Sequence, residues 1–199
     1  MLKFLLTQFM NSQLNITFEE SDTLISILGL GSNLDSRHGS KLEIIRKAIN
    51  SLEEFCSHPC IVSSFYESEP EFCSPDSPIF VNLVVVLLLP ASAEPMRFFS
   101  CVQGLEERLG RVRSNGVNEP RPIDIDLLFF GKESISSDYL TIPHPRALKR
   151  RFVLEPLAEI FPDLVLPGQE LSVVELLNRL PKNGWVRKFP NDLVEEAKS

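Results

Sequence analysis

Two aspartates, Asp124 and Asp126, are the residues whose type and spacing most directly suggest chemistry. They lie in an apolar run, Ile123 to Phe130, that is typical of a buried strand. Residues two apart on a strand share a face, so the carboxylates would lie about 6.6 Å apart along the backbone. Two such carboxylates repel each other unless a cation lies between them, and Mg²⁺ prefers oxygen ligands. The pair alone is more simply explained as solvated residues near a sheet edge.

Arginines upstream of the aspartates change this interpretation. Arg111, Arg113 and Arg121 precede them, and a guanidinium group matches phosphate oxygens in a two-point fork. The alternative explanation is that these arginines belong to an exposed, solvated run of charged residues. Residues 114–119 form a polar, glycine-containing loop that is expected to close over a nucleotide. Phosphate-binding cations near metal-binding carboxylates predict a Mg²⁺-dependent enzyme that transfers a phosphate-containing group from ATP.

Two further groups of residues are candidates for a nucleotide site. Gln103 and Glu106 are one helical turn apart and share a helix face. That face either lines the nucleotide cleft or is an ordinary solvated face. His144 lies in a stiff Pro-His-Pro segment, and the most basic stretch of the chain follows it. That stretch is either a second phosphate-binding wall or a surface patch. Its cations are Arg146, Lys149, Arg150 and Arg151.

Aromatic residues and an amide suggest a site for a flat ring. Phe80 and Asn82 share a strand face by their spacing, and Phe152 is a second candidate aromatic. Two aromatic rings with an amide suit a planar heterocycle. Core packing is the simpler explanation for either phenylalanine taken alone.

The elements that must position these residues follow a recognisable order. Apolar runs predict strands at Leu24 to Leu30, Cys60 to Tyr66, Phe80 to Leu89 and Ile123 to Phe130. Helical spacing predicts helices from Ser40 to Leu52 and from Pro95 to Leu109. The order β-α-β-β-α-β predicts an α+β, ferredoxin-like antiparallel sheet with its helices on one face. Weak helical patterns at Val153 to Ile160 and Val173 to Leu180 form a C-terminal extension.

Length and composition limit the other possibilities. The 199 residues suit one domain, expected at residues 23–188, with a poorly ordered extension at 1–22 and a polar tail at 189–199. The net charge of −7 argues against a nucleic-acid partner, and no apolar run is long enough to span a membrane. Cys56, His58 and Cys60 lack the second ligand pair of a structural zinc site. The four cysteines are therefore expected to be reduced thiols of a cytoplasmic protein.

Taken together and in order, six segments closely resemble the 6-hydroxymethyl-7,8-dihydropterin pyrophosphokinase family of folate biosynthesis. The resemblance covers about Thr23 to Leu166. The segments are Gly31–Leu34, Ser63–Tyr66, Phe80–Asn82, Gly110–Arg113, Pro120–Asp126 and Thr141–Leu154. The chain departs from some members at Asn118 and Glu119, where they carry a tryptophan, and at Pro145, where they carry a tyrosine.

The resemblance implies transfer of the β,γ-pyrophosphate of ATP to the pterin hydroxymethyl group, with release of AMP. It implies that Asp124 and Asp126 bind two Mg²⁺ ions and that Arg111 and Arg121 meet the phosphates during transfer. The nucleotide-site positions it implies are Gln103, Glu106, Arg113, Leu127, Thr141, His144 and Arg150. The pterin-site positions are the aromatic pair Phe80 and Phe152, the amide of Asn82, and the backbone of Ser68 and Glu69.

Other functional classes fit the sequence less well. A nucleotidyltransferase of the polymerase-β type places its carboxylates close after Gly-Ser, whereas Gly31-Ser32 here precedes Asp124 by about ninety residues. An RNA-binding module of the same fold would need aromatic and basic strand motifs, which are missing here. The expected state is a monomer, and docking on or fusion to the next folate-pathway enzyme stays open.

Overall fold

The longest apolar runs of the sequence form the centre of an antiparallel sheet. A computed structural model describes residues 22–71, 77–112, 119–182 and 184–189. In these residues a six-stranded sheet has the order β5-β1-β4-β3-β8, and β2 also pairs with β4. Its strands are β1 (Thr23–Ser32), β2 (Ile61–Val62), β3 (Tyr66–Ser68), β4 (Phe80–Pro90), β5 (Asp124–Phe130) and β8 (Val186–Lys188). A separate hairpin joins β6 (Ile135–Ser136) to β7 (Thr141–Ile142).

Two helices cover one face of the sheet, as expected. Helix α1 (Lys41–Glu53) begins with a capping box in which Ser40 and Glu43 each bond the other's backbone N–H. Helix α2 (Pro95–Arg108) begins with proline at its first position, where no intrahelical donor is lost. The inward stripes of both helices pack against the same core face of β1, β4 and β5. The class is therefore α+β with an antiparallel sheet.

The opposite face is also covered, which the expectation of helices on one face did not include. Helix α3 (Arg151–Ile160) and helix α4 (Val173–Arg179) pack against Ile27 and Val84 on this second face. The reason is the continuous apolar run of β4, which is buried on both faces and therefore needs cover on both. The C-terminal extension supplies that cover.

The expected strand from Cys60 to Tyr66 is two short strands, β2 and β3, separated by residues 63–65. The Ser63 side chain takes part in the pairing there, since its Oγ accepts the N–H of Val84 at 3.0 Å. Strand β3 is held on its outer edge by β8, and the N–H of Phe189 donates to the carbonyl of Phe65 at 2.7 Å. Strand β8 and Phe189 therefore hold the outer edge of β3, which carries Ser68 to the candidate site.

Two further properties concern the described part of the chain alone. Cys56, Cys60 and Cys101 are free thiols there, and the expectation for Cys73 lies outside the described residues. None of the described helices combines the length and apolar character needed to cross a membrane. The expected extension at 1–22 and tail at 189–199 also fall almost entirely outside these residues.

Candidate functional site

One end of the second sheet face is left open by α3 and forms a cleft of about 200 Å³. Ten of the predicted site residues line it. They are Ser68, Glu69, Phe80, Asn82, Arg111, Arg121, Asp124, Asp126, Arg150 and Phe152. The sheet therefore brings together the residues expected to hold metal, phosphate and a flat ring.

The register of the three central strands explains this meeting. Gly31 on β1 pairs with Asn82 of β4 on one side and with Asp124 of β5 on the other. Gly29 pairs in the same way with Asp126. Adjacent strands lie about 4.8 Å apart, so the amide and the carboxylates are separated by roughly 10 Å across a strip without side chains.

Gly31 itself was not among the predicted site residues, although the Gly-Ser-Asn motif pointed to its neighbourhood. A Cβ at this position would lie 3.1 Å from Oδ1 of Asn82 and 3.6 Å from the ring of Phe80. A side chain here would therefore crowd the Asn82 amide, whereas its contact with the Phe80 ring would be an ordinary van der Waals contact. The signal that finds Gly31 is the strand register, which the sequence alone does not contain.

The β5 side of the cleft is a cluster of carboxylates and arginines. Nη1 of Arg111 lies 2.5 Å from Oδ1 of Asp124, and Nη1 of Arg121 lies 3.4 Å from its Oδ2. Nη1 of Arg150 lies 3.3 Å from Oδ2 of Asp126. Among the described residues, Asp124 therefore pairs with two arginines and Asp126 with one.

The electrostatics leave Asp126 short of positive charge. Burial and then the neighbouring charge of Asp124 raise the pKa of Asp126, while His144, Arg150 and Arg111 act in the opposite direction. Burial, with help from Arg150, lowers the pKa of His144 below its usual value. A bound divalent cation would relieve the repulsion that the arginines only partly offset.

Glu106, one of the predicted nucleotide residues, lies outside the cleft lining. Its side chain is 2% exposed between α2 and β5, and Oε1 accepts the N–H of Ile125 at 2.7 Å. The same oxygen forms a close ion pair with Arg111. Gly110, with a φ of 96°, lets the chain reverse after α2 so that Arg111 returns to this carboxylate. Glu106 therefore orients Arg111 rather than facing the cleft.

Four other predicted nucleotide residues lie outside the cleft lining, and Arg113 lies outside the described residues. Gln103 is half-buried one turn before Glu106, and Leu127 packs into the core under α1 and α2. Thr141 is exposed on β7. His144 is fixed beside β5, because its N–H donates to the carbonyl of Leu128 at 2.9 Å, at the β-bulge between β1 and β5.

The β4 side of the cleft carries the expected ring-binding residues. Nδ2 of Asn82 donates to Oγ of Ser68 at 2.9 Å in a buried hydrogen bond. The guanidinium of Arg121 lies 5.8 Å from the ring centre of Phe80, and that of Arg150 lies 5.1 Å from the ring centre of Phe152. Each aromatic ring therefore has an arginine on one face, which is a favourable cation–π contact.

Asn33 is a further residue that sequence reasoning missed. It is 2% exposed, and its Oδ1 accepts the N–H of Arg121 at 2.8 Å while its own N–H donates to the Arg121 carbonyl at 3.2 Å. Its Nδ2 donates to the carbonyl of Pro78 at 3.3 Å. The backbone position of Arg121 is therefore fixed by the residue that directly follows β1. Glu71 also lines the cleft without having been predicted there, as does Arg146 of the basic stretch for which a phosphate-binding wall was one of two interpretations.

Comparison with known proteins gives a consistent result. A family model described as 7,8-dihydro-6-hydroxymethylpterin-pyrophosphokinase (HPPK) matches residues 27–162. The 2-amino-4-hydroxy-6-hydroxymethyldihydropteridine pyrophosphokinase of Haemophilus influenzae is 35% identical over 167 residues, covering 84% of this chain and 99% of that protein.

Longer proteins also match. The folic acid synthesis protein fol1 of Pneumocystis carinii is 37% identical over 153 residues, which is 77% of this chain and 20% of that protein. The wild-type HPPK-DHPS crystal structure from Plasmodium falciparum has the same fold, with a TM-score of 0.61 at 17% identity. That match covers 81% of this chain and 42% of the other. The chain thus spans about a fifth of the fungal protein and nearly all of the bacterial one. Since the family model covers more than half of the chain, the protein belongs to the 7,8-dihydro-6-hydroxymethylpterin-pyrophosphokinase family.

Proposed function

We propose that this chain transfers the β,γ-pyrophosphate of ATP to the hydroxymethyl group of 6-hydroxymethyl-7,8-dihydropterin and releases AMP, as a step of folate biosynthesis. The observation that carries the proposal is the strip of Gly29 and Gly31, with a ring-binding wall on one side and the carboxylate–arginine cluster on the other. A pterin on one wall and ATP on the other would place alcohol and phosphate in a single cleft.

Two Mg²⁺ ions are the proposed cofactor, held by Asp124 and Asp126. The donors fit, because both are carboxylates on one strand face. No group of three acidic, histidine or cysteine side chains that could hold a metal occurs in the described residues. The remaining ligands would be phosphate oxygens and water, as is usual for Mg²⁺ with ATP. The ions would neutralise phosphate charge and favour loss of the alcohol proton.

Arg111 and Arg121 are the proposed catalytic arginines. Both now pair with Asp124, so a cation at that carboxylate would free their guanidinium groups for phosphate. The buried Nε of Arg121 has no hydrogen-bond acceptor within the described chain. This unused donor capacity at the cleft suits phosphate oxygens. Glu106 would keep Arg111 in place during this exchange.

The remaining nucleotide contacts are proposed on the β5 side. Gln103, Arg113, Thr141, His144 and Arg150 would contribute side chains, whereas Leu127 would contribute backbone because its side chain is in the core. The pterin ring would lie between Phe80 and Phe152, with its edge read by the Asn82 amide and by the backbone of Ser68 and Glu69. The hydrogen bond from Ser68 already orients that amide.

Catalysis of this transfer would depend more on alignment of the reacting groups than on acid or base side chains. The alcohol oxygen attacks the β-phosphorus, and the bond from that phosphorus to the oxygen shared with the α-phosphate breaks. The alcohol proton is lost and AMP leaves with the bridging oxygen. Holding attacking and leaving oxygens in line and neutralising charge account for most of the acceleration in such transfers.

Product analysis with ATP, Mg²⁺ and the reduced pterin tests this function. We expect AMP and a pyrophosphorylated pterin in equal amounts. ADP with a monophosphorylated pterin would instead show a simple kinase, and no product with any pterin would overturn the proposal. Omission of the divalent cation is the matched control, and it should stop product formation.

We further propose that residues 23–188 act as the pyrophosphokinase domain, with 1–22 and 189–199 outside the chemistry. The family match at 27–162 supports the central part. We expect a cytoplasmic monomer that acts on ATP and a reduced pterin and binds no nucleic acid. The next folate-pathway enzyme is the candidate protein partner, because the Plasmodium relatives carry HPPK and DHPS in one chain. Light scattering of the purified chain would test the monomer.

A further inference from the structure

Arg150 lies at the boundary between the two walls of the cleft, with a carboxylate on each side. Its Nη1 is 3.3 Å from Oδ2 of Asp126, and its Nε is 3.6 Å from Oε2 of Glu71. Its guanidinium carbon is 5.1 Å from the ring centre of Phe152. The Arg150 side chain is 12% exposed, so this cation depends on its protein partners more than a surface arginine does.

The contact with Asp126 conflicts with the proposed metal site. A guanidinium group keeps its charge at any physiological pH, so Arg150 cannot leave Asp126 by losing a proton. A divalent cation and Arg150 would compete for the same carboxylate. Release of Asp126 to the metal is therefore easier if Arg150 has a second carboxylate within reach.

We propose that Glu71 is a positioning residue that receives the Arg150 guanidinium when a divalent cation takes Asp126. This inference rests on the proposed function. The geometry favours it because Glu71 faces the Nε edge, while Asp126 faces Nη1 of the same group. The buried Nε–H has no hydrogen-bond acceptor in the described residues, and Glu71 lies just beyond hydrogen-bond distance from it. A small shift toward Glu71 would complete that bond while Arg150 stays over Phe152.

Loss of the Glu71 charge should therefore show as weaker cation binding. In Glu71→Gln, Arg150 would rely more on Asp126, and a divalent cation would displace it less readily. We expect the free Mn²⁺ concentration for half-saturation to rise about threefold to tenfold, the range of a partly buried ion pair. Turnover at saturating cation should stay within about threefold of the wild type, because the same groups are then in place.

Electron paramagnetic resonance of Mn²⁺ in the presence of α,β-methylene-ATP measures this directly. The analogue cannot be cleaved at the α–β bridge, so binding is read without reaction. Glu71→Asp keeps the charge and should restore part of the affinity. Glu67→Gln is the matched control, since it removes an ion pair with Arg187 from the same segment without touching Arg150. It should leave Mn²⁺ binding at the wild-type level.

A second background makes the test specific to Arg150. In Arg150→Ala the competitor is gone, so adding Glu71→Gln should change Mn²⁺ affinity by less than about twofold. An unchanged affinity in Glu71→Gln alone, or a full shift that persists in Arg150→Ala, would overturn the inference. Wild-type protein that binds Mn²⁺ with the analogue but forms no AMP from ATP would overturn only the reaction. Wild-type protein that binds no Mn²⁺ with the analogue would overturn this inference together with the metal assignment.

Discussion

The two walls of the cleft are built on opposite principles. The β4 wall offers a neutral amide and two aromatic rings that are already held in place, because Nδ2 of Asn82 donates to Ser68 and each ring has an arginine over one face. The β5 wall holds two carboxylates whose mutual repulsion is only partly offset by arginines. The first wall is complete before its ligand arrives. The second would be completed by the proposed cation, so the two walls should respond differently to substitution and to pH.

The largest expected effect is on the charged wall. Asp124→Asn keeps the shape but removes the charge that would bind the cation and that now pairs with Arg111 and Arg121. We expect turnover to fall about 10²- to 10³-fold, typical of losing one charge-stabilising group in a transfer site. Pterin binding, measured by fluorescence titration, should change little because the neutral wall is intact. Turnover near the wild-type value would contradict the metal assignment.

A smaller and opposite pattern is expected on the neutral wall. Asn82→Ala removes the ring-edge amide and leaves the Ser68 hydroxyl without its partner. The KM for the pterin should rise about tenfold to hundredfold, the cost of an unpaired buried polar group. Calorimetry should show unchanged affinity for the ATP analogue. Equal losses for both ligands would mean that the walls are not independent.

The smallest expected effect is on the stability of the fold, through the charge of Asp126. The pKa of Asp126 is raised on folding, so this group stabilises the native state at acidic pH, and that contribution is lost as the pH rises through the raised pKa. Because the Asp126 side chain is 34% exposed and solvent screens its charge, Asp126→Asn should unfold at only slightly higher urea than the wild type at pH 8 without metal, by about 0.5 kcal/mol or less. The difference should shrink toward pH 4 and disappear when the wild type binds Mg²⁺ and nucleotide.

Urea titrations of both proteins at several pH values measure this difference. His144, Arg150 and Arg111 act on Asp126 from neighbouring segments, so their substitution would blur the comparison and they should be left unchanged. A wild type that is more stable than Asp126→Asn at pH 8 without metal would show that the arginines fully offset the repulsion.

The same contrast explains how much the sequence could predict. The charged wall comes from one short segment, in which strand period alone puts Asp124 and Asp126 on one face. The neutral wall combines Ser68, Asn82 and Phe152 from three elements, and their meeting depends on strand pairing and on α3. Strand spacing had already indicated Asn82, whereas the family resemblance supplied Ser68 and Glu69, for which periodicity had no signal.

What was missed has a physical reason in each case. Gly31 has no side chain to suggest a role, and its importance appears only in the register with Asn82 and Asp124. Glu106 has the spacing of a cleft residue, but the reversal at Gly110 turns Arg111 back onto it. The second helical layer was missed because the patterns of α3 and α4 do not say which surface they cover.

The glycine strip also bears on inhibitor design. A compound that joins a ring on the β4 wall to an anion on the β5 wall would cross directly over Gly31. A larger residue there would have its Cβ 3.1 Å from the Asn82 amide oxygen, so the amide that we propose reads the ring edge would have to shift by a few tenths of an ångström. Substitution of Gly31 should therefore lower the affinity for a ring on the β4 wall as well as the affinity for such a compound.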